Sequence, residues 1–324
     1  MLTLPAFELH EPSTLDEAVS LLVRHRGDVK VLAGGTDLLP NLKHRLFTPG
    51  HLVGLRKVQG LDQVFEQPQA LQLGAMLPIA ALARQPLVQR HFPSLVQAAR
   101  AIAGPQLREM GTLGGNLCLD TRCVFYNQTA FWRKALGYCL KKDGTVCHVV
   151  KAGRRCVAAA SNDTAPVLMT LGASLRLVGP DGARELPVAD FFLADGIVNT
   201  ALRPGELLAS VGVPLPEGTV VSGYQKLRLR EAIDFSALSV AVAARLSEAR
   251  RIEWVRVVVS ALGARPHKVQ GLAAFEGRAL DDLALAEVGQ LAKRQCHPLT
   301  NINVDPAWRR ELIPVLVKRA FGLA

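Results

Sequence analysis

Val31-Leu32-Ala33-Gly34-Gly35-Thr36-Asp37-Leu38, with its later companion Thr112-Leu113-Gly114-Gly115-Asn116, is the stretch on which the reading of this chain turns. Lys30-Val31-Leu32-Ala33 is a short β-prone run that breaks at Gly34-Gly35-Thr36-Asp37, so a strand feeding a glycine turn is expected. Glycine accepts positive φ and lets the backbone come close to a ligand. Such a turn can therefore aim several N–H groups at an anion such as a diphosphate. Taken singly, a strand-to-turn glycine pair is more often a tight turn and nothing else. Neither stretch contains G-x-G-x-x-G or G-x-x-x-x-G-K, which argues against NAD or ATP bound by those routes.

Outward from the first turn, Thr14 and Glu17 form a capping box ahead of Leu15, Ala18, Leu21 and Leu22 at helical spacing. His51 to Leu55 and Leu71 to Ala75 read as strands, and Ile79 to Arg84 and Ser94 to Ile102 as helices. Ser174 to Val178 and Leu207 to Val213 read as strands, with Pro180-Asp181-Gly182 as a turn. Phe235 to Ala249 is apolar-rich, Ile252 to Leu262 alternates with β-branched residues, and Pro306 to Ala320 predicts a basic closing helix. The C-terminal third thus reads as α/β-like, and no internal repeat or low-complexity linker is visible.

The chain has 324 residues, 49% of them hydrophobic and 20% charged, enough for a sizeable core in two or three domains. No apolar run is long enough to span a membrane, and the start has no basic segment leading into an apolar one. A cytoplasmic protein without membrane association is expected. The net charge is +10. Between Cys118 and Ala160 lie eight basic residues (Arg122, Arg133, Lys134, Lys141, Lys142, Lys151, Arg154, Arg155) against Asp120 and Asp143, so much of the excess is one local feature. With no basic recognition helix and no aromatic platform, nucleic-acid binding is not expected. A solvated basic surface without a partner is the plain alternative.

Five of the six cysteines (Cys118, Cys123, Cys139, Cys147, Cys156) fall in the same stretch, and only Cys296 stands apart. Cellular thiols keep cytoplasmic pairs reduced, so the cluster points to a soft-metal site rather than to disulfides. Cys123, Cys139, Cys147 and Cys156 are separated by fifteen, seven and eight residues, which is neither a compact ferredoxin run nor the paired C-x-x-C knuckles of a zinc ribbon. Zinc and 4Fe-4S both suit four thiolates. Cys118, beside the second glycine turn, is an odd thiol or an alternative ligand, and Cys296 reads as a buried small hydrophobe. Phe125, Tyr126, Phe131 and Trp132 would cover a cluster from water or form the loop's own small core.

Together, VLAGGTDL (31–38), AIAGPQLREMGTLGGNL (101–117), SNDTAPVL (161–168), PGELLASVGVP (204–214), YQKLRLREAIDFS (224–236) and DPAWRRELIPVLVKRA (305–320) resemble the FAD-binding subunits of the xanthine and carbon monoxide dehydrogenase family over nearly the full length. The resemblance implies an α+β fold: a PCMH-type FAD-binding domain of two subdomains, 1–56 and 57–176, and a C-terminal α+β domain of the CO dehydrogenase flavoprotein type, 177–324. It implies that Val31, Leu32, Ala33, Gly34, Gly35, Thr36, Asp37 and Leu38, with Thr112, Leu113, Gly114, Gly115 and Asn116, wrap the FAD diphosphate and ribityl chain with backbone N–H groups. Ile102 would pack near the flavin, where the family often has a larger aromatic. Asp163 would bond a sugar or adenine group, Lys226 would sit by the isoalloxazine, and Leu208 would touch adenine or flavin. No residue of this chain would break a substrate bond.

In most such relatives TLGGN runs directly into S-x-D-x-x-P, whereas here a loop at about 119–160 intervenes and holds the cysteines. RCVFYNQTAFWRKALGYCLKKDGTVCH resembles the insertion of 4-hydroxybenzoyl-CoA reductase flavin subunits, which holds one 4Fe-4S cluster. That resemblance implies Cys123, Cys139, Cys147 and Cys156 as its ligands. It further implies a molybdopterin-containing large subunit and a 2Fe-2S small subunit in a dimer of heterotrimers, with a ferredoxin-like donor docking on the basic loop. An ordinary xanthine or CO dehydrogenase-type hydroxylase subunit is the alternative within the class, and a basic zinc-binding interaction protein the alternative outside it.

Overall fold

In the computed structural model, residues 2–322 are described and build three sheets, each fixed by a different local pattern. β1 (Glu8–His10), β2 (Val29–Leu32) and β3 (His51–Gly54) form a parallel sheet in the order β1-β3-β2. Parallel neighbours need a crossover. Helix Leu15–Arg24 supplies the first, nucleated by Thr14, whose hydroxyl accepts from the Glu17 N–H at 3.1 Å. Glu17 reaches back to the Ser13 N–H at 2.8 Å rather than to Thr14, so the box closes one residue earlier than expected.

β4 (Val64–Gln67), β5 (Ala70–Gly74), β6 (Ser174–Gly179), β7 (Gly182–Pro187) and β8 (Leu207–Pro214) form an antiparallel sheet ordered β4-β5-β8-β6-β7. The boundary expected at 176/177 therefore cuts through β6. Three strands assigned by sequence to the C-terminal domain, wholly or in part, belong to this second sheet. The correction has a packing cause: Val178, Leu207 and Ala209 complete the core beneath the first sheet with Ala18, Val19, Leu22 and Val53. The two subdomains share apolar contacts that no local pattern displays.

β9 (Thr219–Leu227), β10 (Leu238–Leu246), β11 (Ile252–Ser260) and β12 (His267–Lys268) form an antiparallel meander, β12-β11-β10-β9, with helices Asp282–Gln295 and Pro306–Ala320 on one face. All its pairings are antiparallel, so the α/β-like reading of this third gives way to α+β. Side chains alternate across a strand. Val240, Val242 and Ala244 meet those two helices, while Ala241, Val258 and Tyr224 turn to the core of the second sheet and its helices. Buried on both faces, β10 reads as one continuous apolar run. Among the described residues no helix is long and apolar enough to cross a membrane.

Arg309 in the closing helix is fully buried and donates to three carbonyls: Ala237 O at 2.7 Å, Leu299 O at 2.9 Å and Ala261 O at 2.5 Å. Burial pushes its guanidinium pKa down to about 10. Each bond from a charged donor to a buried carbonyl is worth about 1.5–3 kcal/mol, and carbonyls left unpaired carry a desolvation penalty. Arg309→Met is expected to lower unfolding stability by about 3 kcal/mol or more; a urea midpoint within error of wild type would remove Arg309 from this role.

Candidate functional site

β2 ends at Leu32, and the chain turns through Gly34 and Gly35, the latter at φ 72°, before helix Leu38–Lys43. The carbonyls of Gly35 and Asp37 accept from Leu39 and Asn41, which starts the helix. By contrast, the N–H groups of Gly34, Gly35, Thr36 and Asp37 donate to no protein acceptor among the described residues. Consecutive free amides on a half-buried turn are what an anion cradle requires.

The second turn packs directly on the first. A Cβ at Gly34 would overlap the Met110 carbonyl, one at Gly111 would lie 3.4 Å from Thr36 Oγ1, and one at Gly115 would lie 3.8 Å from Ala33 Cβ. Its amides are differently disposed from expectation. Leu113 N donates to Leu77 O at 2.9 Å, Gly114 N to Ala75 O at 2.7 Å, Gly115 N to Thr112 Oγ1 at 3.1 Å and Asn116 N to Thr112 O at 2.9 Å. These N–H groups hold the short helix Leu113–Leu117 in place, so the second turn contributes shape and the first contributes donors. Asn116 Oδ1 also accepts from Thr164 Oγ1 at 2.7 Å, tying the turn to helix Thr164–Thr170.

Asp163, at the N-terminus of that helix, is buried. Its carboxylate accepts from Tyr224 Oη at 2.5 Å, Ser236 Oγ at 2.7 Å and Lys226 Nζ at 3.0 Å. Burial, then the neighbouring Asp163 charge, raises the Tyr224 pKa well above the usual phenol value and keeps it a donor. Lys226 Nζ also caps Ala101 O at 3.1 Å, at the end of helix Pro93–Ala101, and Ile102 follows half-buried against the second core. Leu208 lies within that core on β8, paired with Leu177. Asp163 and Lys226 are a buried pair, their side chains 5% and 4% exposed, and removing one partner of such a pair costs about 3–5 kcal/mol. Asp163→Ala is expected to destabilise by that amount, and Asp163→Leu combined with Lys226→Met to recover part of it. Equal denaturation midpoints for Asp163→Ala and wild type would exclude the pairing.

The cysteine loop docks beside the first turn. Arg122 forms an ion pair with Asp37 and stacks over Phe235 at 4.2 Å from the ring centroid. Arg133 donates to the carbonyls of His44 (3.3 Å) and Arg45 (2.9 Å), just past helix Leu38–Lys43, where positive charge is favoured. Lys141 is held by Asp120 Oδ1 at 2.6 Å and Gly196 O at 2.7 Å. Three of the eight basic residues thus build the loop rather than a docking surface. Lys134, Lys151, Arg154 and Arg155 remain exposed.

Cys123, Cys139, Cys147 and Cys156 line one small cavity, walled by Phe125, Tyr126, Leu140 and Ala158. Backbone amides point at two of the sulfurs: Val150 N at Cys147 and Ala158 N at Cys156, both at 3.5 Å. Cys118 is exposed at the end of helix Leu113–Leu117, outside the cavity, and Cys296 is buried in the C-terminal core. Phe125 and Tyr126 do wall the cavity, but Phe131 is 83% and Trp132 38% exposed, so those two provide no cover. The short helix Ala130–Ala135 turns them outward.

The family model of the FAD binding domain in molybdopterin dehydrogenase matches residues 5–216. The chain belongs to that family. The CO dehydrogenase flavoprotein C-terminal domain matches residues 222–324, so the first match ends just after β8 and the second begins within β9. The carbon monoxide dehydrogenase medium chain of Afipia carboxidovorans is 28% identical over 97% of this chain and 95% of that protein. The aldehyde oxidoreductase FAD-binding subunit of Escherichia coli is 33% identical over 73% of this chain and 76% of that protein. Reconstituted CO dehydrogenase from Oligotropha carboxidovorans superposes with a TM-score of 0.82 at 27% identity, covering 99% and 98% of the two chains.

This flavin subunit is therefore part of an oxidoreductase, and a zinc-binding interaction protein without flavin is set aside. The residues present fit FAD: the free amides from Gly34 to Asp37 suit a diphosphate, and the glycine contacts keep both turns close enough to act as one wall. Bound there, the flavin supplies one- and two-electron transfer, while the protein contributes binding, orientation and electrostatics. Tyr224, Ser236, Arg122, Arg133 and Lys141 were not singled out individually by sequence for these structural roles. Only the run of basic residues in a cysteine-rich loop marked part of that set.

Proposed function

We propose that this chain is the electron-transfer flavin and iron-sulfur subunit of a molybdenum-containing enzyme of the 4-hydroxybenzoyl-CoA reductase type. It would assemble in the cytoplasm with a molybdopterin large subunit and a 2Fe-2S small subunit as a dimer of heterotrimers. The observation that carries the reading is the convergence of Cys123, Cys139, Cys147 and Cys156 on one apolar cavity adjoining the flavin turn. A zinc ion with Zn–S near 2.3 Å would draw its sulfurs to about 3.8 Å of one another. Among the described residues no three of these thiols come within 4.8 Å of each other, whereas a four-iron cluster spreads its thiolates more widely. Amides directed at the sulfurs stabilise the charge such a cluster carries.

In this reading the bound groups carry electrons from a low-potential donor through 4Fe-4S and FAD to the partner's 2Fe-2S clusters and molybdenum, for reductive removal of the phenolic hydroxyl of 4-hydroxybenzoyl-CoA. The chain's own task is to hold both groups close: Arg122 joins the cysteine loop to Asp37 of the flavin turn, and Arg133 anchors the loop past the following helix. Exposed Lys134, Lys151, Arg154 and Arg155 offer a face for an acidic carrier of the ferredoxin class. Electron transfer from that carrier is expected to slow at high salt, and a salt-independent rate removes the docking face.

Anaerobic purification of the complex, with flavin, iron, sulfide and zinc analysis, tests the main reading. FAD with about four iron and four sulfide per chain beyond the partner's clusters supports it. FAD without that iron returns the chain to the ordinary xanthine or CO dehydrogenase type of hydroxylase.

A further inference from the structure

Three histidines distant in sequence meet at the start of the first sheet and take no part in the flavin turns or the cysteine cavity. His10 closes β1, His51 opens β3, and His25 is the C-cap of helix Leu15–Arg24. Glu8 pairs with His51 and His10 with Val53 in the parallel ladder. Residues two apart on a strand share a face. Glu8, His10 and His51 therefore lie on the face of Val53, which that helix covers, and the helix end delivers His25 to them.

We propose that His10, His25 and His51 bind a divalent transition-metal ion of the zinc type. One ring nitrogen from each lies within 4.8 Å of the other two, the only such group of three or more ligand side chains among the described residues. His10 Nε2 and His51 Nδ1 are 3.1 Å apart. That is close to the roughly 3.3 Å that tetrahedral zinc with Zn–N near 2.0–2.1 Å imposes on two ligands. Such a pair is joined either by a shared proton or by a metal. The surroundings favour a cation. The site lies at a helix C-terminus, where carbonyl partial charges are negative. Glu8 Oε1 stands 3.8 Å from His10 Nδ1 and its Oε2 3.6 Å from His51 Nδ1. At these distances the carboxylate adds negative charge beside the site, which favours a bound cation. The ion would lock β1 to β3 and to the helix between them.

The test uses untagged, FAD-loaded protein, freed of loosely held metal and titrated with Zn²⁺ alone and with Co²⁺ alone. The expected result is one ion per chain in addition to any iron. The cobalt spectrum should show ligand-field bands without thiolate charge transfer, which separates this site from the cysteines. His25→Ala should weaken binding at least tenfold, and His10→Ala with His51→Ala should abolish it. His25→Gln, which keeps a polar C-cap, provides a second variant, with FAD content and circular dichroism reporting the fold. Zn²⁺ should raise the melting temperature of wild type but not of the variants. Absence of a stoichiometric ion, an unchanged affinity in folded His25→Ala and His25→Gln, or cobalt bands from thiolate ligation would each overturn the proposal.

Discussion

Gly34→Ala is expected to leave a folded chain that has lost at least nine-tenths of its FAD. The added Cβ falls on the Met110 carbonyl, with the Met110 carbonyl carbon at 2.6 Å and Gly111 Cα at 3.0 Å. All of these are backbone atoms, which cannot rotate away as a side-chain tip would. Overpacking of this kind costs about 1–3 kcal/mol and is relieved by backbone shift. Here the shift separates the two glycine turns, and the free amides from Gly34 to Asp37 move with it. A loss of tenfold in binding needs only about 1.4 kcal/mol. Gly263→Ala is the control, because a Cβ there meets nothing within 4 Å. Flavin absorbance after gel filtration reads the outcome. Full FAD in Gly34→Ala would sink the assignment of this turn as the cradle.

The second large effect concerns the cysteine cavity and rests on the proposed cluster. Cys139→Ser and Cys156→Ser are each expected to remove nearly all the extra iron and acid-labile sulfide while leaving most of the FAD. The flavin turn is built on β2, whereas Cys139 packs with Leu46 and Tyr126 in a small separate core. Cys118→Ser and Cys296→Ser should retain the iron, since neither thiol reaches the cavity. Iron that survives in Cys139→Ser and Cys156→Ser, or that vanishes in Cys118→Ser, would place the cluster on a different set of ligands.

Much of this site was legible because its signals are local. A glycine pair after a β-prone run marks a turn wherever it occurs, and the turn from Gly34 to Asp37 lies where expected. Helices Ile79–Arg84 and Pro306–Ala320 begin and end at the residues that periodicity and proline indicated. The crowding of cysteines into one loop was equally plain, because composition needs no geometry. The loop's internal order was not: aromatics read as a cover split into walls and exposed residues according to where helix Ala130–Ala135 turns them.

By itself, then, the sequence determined the turns, four helices (Leu15–Arg24, Ile79–Arg84, Pro93–Ala101 and Pro306–Ala320), the alternation of β11 and the four clustered thiols, all properties carried by neighbours in the chain. The tertiary structure alone decided which strands share a sheet, so that β6 to β8 joined β4 and β5 rather than the C-terminal domain. It alone set Asp163 between Tyr224, Ser236 and Lys226, paired Arg122 with Asp37, and brought His10, His25 and His51 together. The reason is physical. A buried charge must find its partner in whatever element the core brings beside it, and that choice is made by burial across the whole molecule, not by spacing along the chain.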